Sequence, residues 1–120
     1  MAKKILVIED YKETAELIKT IFEMKGHVVS LAYDGTSGLQ MAAGDKPDLI
    51  ILDVMLPGMN GIEVCKQLKS APETAKVPVI IVSVLAASEE AMIGKDAGAD
   101  DYIAKPFNTA ELVRIAGKYI

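Results

Sequence analysis

Five short apolar segments recur along the chain, separated by stretches in which polar and apolar residues mix. They cover residues 5–8, 28–32, 49–52, 79–82 and 102–104. Three of them are unbroken runs of four apolar residues, a pattern that is typical of strands buried on both faces of a parallel sheet. The last segment is the shortest and its strand pattern is the weakest, so we expect it at an edge of the sheet.

The stretches between these segments have helical spacing. Helices are predicted over residues 12–25, 36–43, 61–70, 88 to about 97, and from residue 108 onward. The first carries one apolar stripe, formed by Ala15, Ile18, Ile21 and Phe22. Gly26 is expected to end it, Ser88 to begin the fourth helix, and Asn108 to begin the fifth in a sequence that resembles a capping box. Strands alternating with helices predict an α/β fold, with helices on both faces of a parallel sheet.

Composition narrows the class of protein. The 120 residues are 51% hydrophobic, enough for one folded domain spanning residues 1–120. A net charge of −4 argues against direct nucleic-acid binding. Neither a membrane-spanning segment nor a signal peptide is predicted, so we expect a cytoplasmic protein that does not bind membranes. A single cysteine and a single histidine exclude an internal disulfide and a multi-histidine metal site.

Five polar residues stand directly after predicted strands. They are Glu9, Asp10, Asp53, Ser83 and Lys105. Ligands of open parallel sheets bind beyond the carboxyl ends of the strands, where these residues would converge. The sequence therefore predicts one polar site at this edge of the sheet.

Other polar residues have ordinary structural explanations. Asp100 and Asp101 precede the last strand, so we expect them at the opposite edge, in a turn or at the end of a helix. His27 begins the second strand away from the site and is predicted to be structural. Cys65 lies on an apolar helix stripe and is expected to behave as a small hydrophobe.

The charges of the predicted site do not balance. Glu9, Asp10 and Asp53 would repel one another unless one is protonated or a divalent cation binds to their oxygens. Mg²⁺ suits such oxygen ligands, and together with Lys105 it would offset the three negative charges. An anionic nucleophile beside a metal ion and a fixed ammonium group is an arrangement suited to placing a phosphoryl group on Asp53.

The same residues carry a resemblance to a known family. The acidic pair Glu9-Asp10, the segment Asp53-Val-Met-Leu-Pro-Gly-Met-Asn-Gly61, Ser83 and the segment Asp101-Tyr-Ile-Ala-Lys-Pro-Phe107 follow one another at matching spacings. In these motifs, and over its whole length, the chain resembles the receiver domain of two-component response regulators, in particular the stand-alone chemotaxis regulators. The resemblance implies a flavodoxin-like three-layer sandwich, with five strands in the order 2-1-3-4-5 and five helices.

The resemblance also implies roles for the site residues. Asp53 would accept a phosphoryl group from a histidine kinase or a histidine phosphotransfer protein. Mg²⁺ would be bound by Asp10 and Asp53, by Glu9 mainly through water, and by the backbone carbonyl of Met55. Lys105 would pair with the phosphoryl oxygens. Such a protein would catalyse only its own phosphorylation and dephosphorylation and would not be an enzyme in the usual sense.

A switch is implied as well. Ser83 would donate its hydroxyl to the phosphoryl group, and Tyr102 would move inward behind it. This movement would change the face formed by helix 4, strand 5 and helix 5, which would bind a downstream protein. The Lys105-Pro106 peptide matches the position of a cis bond in the family.

One residue departs from the family pattern. Val84 stands where alanine or glycine is usual, so we expect slower phosphorylation by small donors. Met55 and Leu85 match positions that modulate dephosphorylation. Both are apolar and cannot orient a water by hydrogen bonding, so we expect slow dephosphorylation.

Three other functions are weighed against the switch. They are a binding module of the same fold that is not phosphorylated, an aspartyl phosphohydrolase and a flavodoxin. Met55 stands where the hydrolase needs a second acid, and Glu9 and Asp10 would repel a flavin phosphate. If the sequence is a complete protein, its output would depend on a partner protein, and it would be a monomer or a dimer formed on phosphorylation.

Overall fold

The computed structural model describes residues 2–56, 58–84 and 97–120. The strands are β1 (Lys4–Ile8), β2 (Val28–Ala32), β3 (Leu49–Leu52), β4 (Val79–Ser83) and β5 (Asp101–Ala104). The helices of the described residues are α1 (Lys12–Glu23), α2 (Gly35–Asp45), α3 (Gly61–Ser70) and the C-terminal helix (Thr109–Ala116). The helix predicted from Ser88 to Ala97 lies, except for Ala97, outside the described residues.

All five strands form one parallel sheet in the order β2-β1-β3-β4-β5. This confirms the predicted strand order and the edge position of the last strand. Ile8 is in register with Ala32 on one side and with Leu52 on the other, so β1, β2 and β3 end at the same level. Ser83 is likewise in register with Ala104. The residues that follow these strands therefore share one edge of the sheet, which we call the carboxyl edge.

The sheet separates two apolar clusters, one on each face. On one face, α1 and the C-terminal helix cover the sheet, with Phe22 and Leu112 fully buried. On the other face, α2 and α3 do so, with Ala42 and Leu68 buried. Side chains of β1, β3 and β4 contribute to both clusters because successive residues of a strand point to opposite faces. The predicted three-layer arrangement is confirmed.

The helix ends follow local chemistry, with small differences from prediction. α1 stops at Glu23, two residues early, and Gly26 adopts the positive φ of 90° that such a chain reversal requires. α2 begins one residue early because the Asp34 carboxylate accepts a hydrogen bond from the Ser37 N–H at 2.8 Å, a cap the sequence analysis did not identify. Asn108 caps the C-terminal helix as expected, accepting from the Ala110 N–H at 2.7 Å.

His27 and Cys65, which were predicted to be structural, have structural contacts in the fold. The Nδ1 of His27 accepts a hydrogen bond from the Lys3 N–H at 3.1 Å. Cys65 is fully buried, and burial raises the pKa of its thiol to about 11.

Among the described residues, none of the helices has the length and apolar character needed to span a membrane.

Candidate functional site

The parallel strands bring the predicted site residues together at the carboxyl edge. Glu9 follows β1, and Asp53 follows β3, where its N–H donates to the Ile8 carbonyl at 3.0 Å. Lys105 follows β5, and its N–H donates to the Ser83 carbonyl at 3.1 Å. These backbone bonds continue the sheet by one residue. They fix the backbone positions from which the functional side chains extend.

The Lys105 ammonium is the positive centre of the site. Its Nζ donates to Asp53 Oδ2 at 2.9 Å and to Glu9 Oε1. Burial works against a charged ammonium, but the hydrogen bonds and charges of the two carboxylates outweigh it and raise the pKa of Lys105 above its ordinary value. Lys105 therefore stays charged and neutralises part of the acidic cluster.

The pKa of Glu9 is strongly shifted from its ordinary value. It is 2% exposed, and burial, with a smaller contribution from the Asp53 charge, raises its pKa to about 7. The Lys105 ammonium and the Tyr11 N–H, which donates to Glu9 Oε2 at 3.2 Å, only partly offset this rise. Of the two ways in which three carboxylates can coexist, partial protonation of Glu9 is therefore available near neutral pH.

The donor set also fits a divalent cation. Carboxylate oxygens of Glu9, Asp10 and Asp53 lie within 4.8 Å of one another. Asp10 Oδ1 is buried and has no hydrogen-bond partner in the described part of the chain. A buried carboxylate oxygen without a partner is costly, and a hard cation would satisfy it. The cluster thus has the chemistry that Mg²⁺ prefers.

The Asp53 carboxylate is held in a fixed orientation. Its Oδ1 accepts from the Met55 N–H at 3.0 Å, while Oδ2 faces Lys105. Behind it, the first residue of α3 is Gly61, whose N–H donates to the Val54 carbonyl at 2.8 Å. A Cβ at Gly61 would lie 2.3 Å from the Asp53 backbone oxygen, so only glycine allows this close approach.

A cavity of about 590 Å³ opens beside the carboxylates. It is lined by Asp10, Tyr11, Thr14, Asp53, Met55, Val84 and Lys105. Val84 is 59% exposed and forms part of the wall, and Asp53, although only 6% exposed, also lines the cavity. Tyr11 and Thr14 were not predicted to be site residues. The available signal was their position in and just before the first turn of α1, directly after the acidic pair.

The two predicted switch residues lie on adjacent strands, two register positions apart. Ser83 is fully buried at the end of β4. Tyr102 is half-buried on the adjacent β5, in register with Ile81, and packs against the cluster that also contains Leu68. Leu85, predicted to affect dephosphorylation, lies outside the described residues. The Lys105-Pro106 peptide is cis, as the family resemblance implied.

The second acidic pair lies at the opposite edge, as expected, but its role is more specific than a turn. Asp100 Oδ2 accepts from the Lys69 ammonium at 2.9 Å and from the Val79 N–H at 2.8 Å. Asp101 Oδ2 accepts from Lys118 at 3.0 Å and from the Tyr119 hydroxyl at 3.2 Å. The pair connects β5 to α3, to the start of β4 and to the C-terminal segment.

Comparison with known proteins agrees with this geometry. A family model described as the response regulator receiver domain matches residues 5–116. Response regulator MprA of Mycobacterium ulcerans is 40% identical over 113 residues, which are 94% of this chain and 48% of that protein. MprA of Mycobacterium tuberculosis H37Rv is 39% identical over 113 residues. The chain spans about half the length of these curated relatives.

Solved structures are similar over the entire fold. The receiver domain of sensor histidine kinase PA1611 from Pseudomonas aeruginosa, with a magnesium ion coordinated in its active-site cleft, has a TM-score of 0.91 at 28% identity. The match covers 99% of this chain and 98% of that one. Chemotaxis protein CheY4 of Vibrio cholerae has a TM-score of 0.93 at 26% identity, with both chains fully covered.

Proposed function

The chain belongs to the response regulator receiver domain family, and from this premise we propose that Asp53 accepts a phosphoryl group from a histidine kinase or a histidine phosphotransfer protein. The observation that carries the proposal is the Asp53 carboxylate, fixed between the Lys105 ammonium and the Met55 N–H on an open cavity. A carboxylate held in one orientation beside a permanent positive charge is suited to nucleophilic attack on an anionic donor.

The proposed reaction transfers the phosphoryl group between two side chains. A carboxylate oxygen of Asp53 forms the new P–O bond, the P–N bond of the donor's phosphohistidine breaks, and the imidazole leaves. Asp53 loses its own negative charge as it becomes an acyl phosphate, while the phosphoryl group brings about two. Lys105 is then expected to turn its ammonium toward the phosphoryl oxygens.

Mg²⁺ is the proposed cofactor. Asp10 and Asp53 would hold it directly, Glu9 mainly through water, and the Met55 carbonyl would complete the protein ligands. When bound, it would supply the positive charge that offsets the carboxylates and the phosphoryl oxygens. Two observations support this assignment: the buried Asp10 Oδ1 has no hydrogen-bond partner among the described residues, and the PA1611 receiver domain holds magnesium in its cleft.

The signal is proposed to leave through the face formed by predicted helix 4, β5 and the C-terminal helix. Ser83 would donate to the phosphoryl group, and Tyr102 would change its packing behind it, exposing or covering a binding surface for a downstream protein. The proposed binding involves no direct contact with nucleic acid or membranes. The chain is proposed to be a monomer, or a dimer formed on phosphorylation, and to be located in the cytoplasm. The chain would turn over only its own phosphoryl group.

Intact-mass measurement tests the proposal directly. The chain is incubated with acetyl phosphate and Mg²⁺, and one phosphoryl adduct is expected. The adduct should be absent with EDTA and in Asp53→Asn. Asp101→Asn, the matched change at the opposite edge, should still be phosphorylated. An adduct on Asp53→Asn, or none on the unaltered chain with either acetyl phosphate or a phosphohistidine donor, would reject the proposal.

A further inference from the structure

The cavity beside Asp53 has exposed apolar side chains on its wall. Tyr11, Met55 and Val84 line this one cavity and are 65%, 56% and 59% exposed. Met55 is the one of these three that carries a sulfur atom. Peroxides oxidise a methionine thioether to a sulfoxide, which turns a flexible apolar side chain into a polar one. Oxidation of Met55 would therefore change the chemistry of the cavity wall.

Met55 is held close to the phosphoacceptor. Its N–H donates to Asp53 Oδ1 at 3.0 Å, so the backbone fixes its position relative to that carboxylate. Its side chain is more than half exposed and lies on the wall of the cavity that Asp53 also lines. A small oxidant in the solvent can therefore reach the Met55 sulfur without any opening of the fold.

The other sulfur atoms of the described residues are either protected or located elsewhere. Cys65 is fully buried, and burial raises the pKa of its thiol to about 11, so little of the reactive thiolate is present at neutral pH. Met41 and Met59 are half-buried. Met24 is 82% exposed, but it lies just beyond the last residue of α1 and does not line the cavity. Among the described residues, the accessible sulfur at the site is that of Met55.

Hydrolysis of a phosphoryl group on Asp53 would need a water molecule in this cavity. The water attacks the phosphorus in line with the Asp53 oxygen that leaves, and hence from the side facing the cavity. A thioether is only a weak hydrogen-bond acceptor, and the side chain of Val84 has no polar atom, so this part of the wall holds such a water poorly. A sulfoxide oxygen on Met55 would add a strong acceptor there.

We propose that Met55 is a site of reversible oxidation by peroxides and that its sulfoxide shortens the lifetime of the phosphoryl group on Asp53. The O–O bond of hydrogen peroxide breaks, one oxygen forms the S–O bond of the sulfoxide, and the other leaves as water. The sulfur loses two electrons and the peroxide gains them. A methionine sulfoxide reductase would restore the thioether, with a dithiol oxidised to a disulfide and the oxygen released as water. The inference rests on the proposed phosphorylation of Asp53 and adds a response to oxidants.

Phosphoryl lifetimes measured with and without oxidation test this proposal. The chain is treated with hydrogen peroxide, the peroxide is removed, and peptide mass mapping should find a sulfoxide at Met55. Oxidised and untreated chains are then phosphorylated with acetyl phosphate and Mg²⁺, freed of the donor and followed by intact mass. Oxidation should shorten the phosphoryl lifetime about fivefold, an effect of the size expected for one hydrogen bond. Treatment with a methionine sulfoxide reductase should restore the longer lifetime.

Three variants assign the effect to one sulfur atom. Each is compared with itself before and after peroxide, because the Met55 backbone carbonyl is also a proposed metal ligand. Met55→Leu should show no change in lifetime, whereas Met24→Leu, the matched change at an exposed methionine away from the cavity, should keep the full response. Met55→Gln introduces a polar side chain with a carbonyl oxygen, so without any oxidant its phosphoryl lifetime should be shorter than that of Met55→Leu.

The possible failures are distinguishable. An unchanged or longer lifetime once Met55 is oxidised, equal shortening in Met55→Leu, or no sulfoxide at Met55 would overturn this inference and leave the proposed function standing. An untreated chain that takes up no phosphoryl group would reject the proposed function, and this inference with it.

Discussion

The molecule carries two acidic pairs at opposite edges of one sheet, and they have opposite electrostatics. At the far edge, Asp100 and Asp101 are each matched by an ammonium group, from Lys69 and Lys118. At the carboxyl edge, Glu9 and Asp10 join Asp53. Among the described residues, one ammonium pairs with this cluster, that of Lys105, and it contacts Glu9 and Asp53 but not Asp10.

This difference appears in the pKa values. Burial opposes the ionisation of Asp101, yet hydrogen bonds from Lys118, the Tyr102 N–H and the Tyr119 hydroxyl lower its pKa below the ordinary value. Burial dominates at Glu9 and raises its pKa to about 7. The ion pairs at the far edge connect segments of the fold. The excess of negative charge at the carboxyl edge instead favours the binding of a cation. Acidic pairs of similar sequence thus acquire different roles from their positions relative to the strands.

The largest expected effect comes from removing one cation at each edge. Lys105→Ala leaves two buried carboxylates without their shared ammonium and should lower the free energy of unfolding by about 3 kcal/mol at pH 8 in EDTA. Lys118→Ala removes a half-exposed partner and should cost about 0.5 kcal/mol. Urea unfolding measures both values. Equal losses would mean that the two edges do not differ as described.

The next effect is a dependence of stability on pH at the carboxyl edge. The pKa of Glu9 is about 7 in the folded chain against an ordinary 4.5, so its neutral form stabilises the fold fully below pH 4.5. This stabilisation, about 2 to 3 kcal/mol, should be lost as the pH rises through 7. Asp101 has a lowered pKa, so its contribution is instead lost in acid, as the pH falls through that lowered value.

Urea unfolding between pH 5 and 8.5 in EDTA checks this dependence. Glu9→Gln should be nearly insensitive to pH in this range, while Asp101→Asn should keep the slope of the unaltered chain. If the dependence of stability on pH persists in Glu9→Gln, another titrating group must cause it.

Mg²⁺ should stabilise the fold by binding at the carboxyl edge and not at the far edge, and this effect on stability should be smaller. If its dissociation constant is on the order of 1 mM, 10 mM Mg²⁺ should stabilise the fold at pH 8 by about 1.4 kcal/mol. Asp10→Asn should lose this gain because it removes a predicted direct ligand, and Asp100→Asn should retain it. Thermal unfolding with and without Mg²⁺ is the measurement, and a gain retained in Asp10→Asn would place the ion elsewhere.

The smallest expected effect concerns the mouth of the carboxyl-edge cavity. Val84 is exposed on its wall, and Val84→Ala removes two methyl groups beside the path to Asp53. Phosphorylation by acetyl phosphate should become a few times faster, as followed by intact mass over time. Lys118→Ala, a change at the far edge of the sheet, serves as the control. Identical rates for Val84→Ala and the unaltered chain would remove the steric explanation.

Much of this architecture could be predicted without coordinates. The apolar runs at residues 5–8, 49–52 and 79–82 identify strands buried on both faces, and a parallel sheet places Glu9, Asp53 and Lys105 at one edge. The separation of Asp100 and Asp101 from that edge follows from the same rule. Prediction worked here because strand direction and side-chain alternation are local properties of the chain.

Other features depended on packing between distant segments. The close approach of Gly61 to the Asp53 backbone arises from a contact that sequence spacing does not specify. The cap at Asp34, by contrast, is a local contact over three residues. The participation of Thr14 in the cavity also depends on how α1 lies against its neighbours.

Residue types and strand positions along the chain are enough to say which residues occupy the carboxyl edge and that their charges do not balance there. The tertiary structure decided how that imbalance is shared: Lys105 lies between Glu9 and Asp53, Glu9 is buried enough to bind a proton near neutral pH, and one oxygen of Asp10 has no partner in the described chain. The physical reason is that charge can be counted along a sequence, whereas burial and distance, which set the energy of each charge, exist only once the strands have come together.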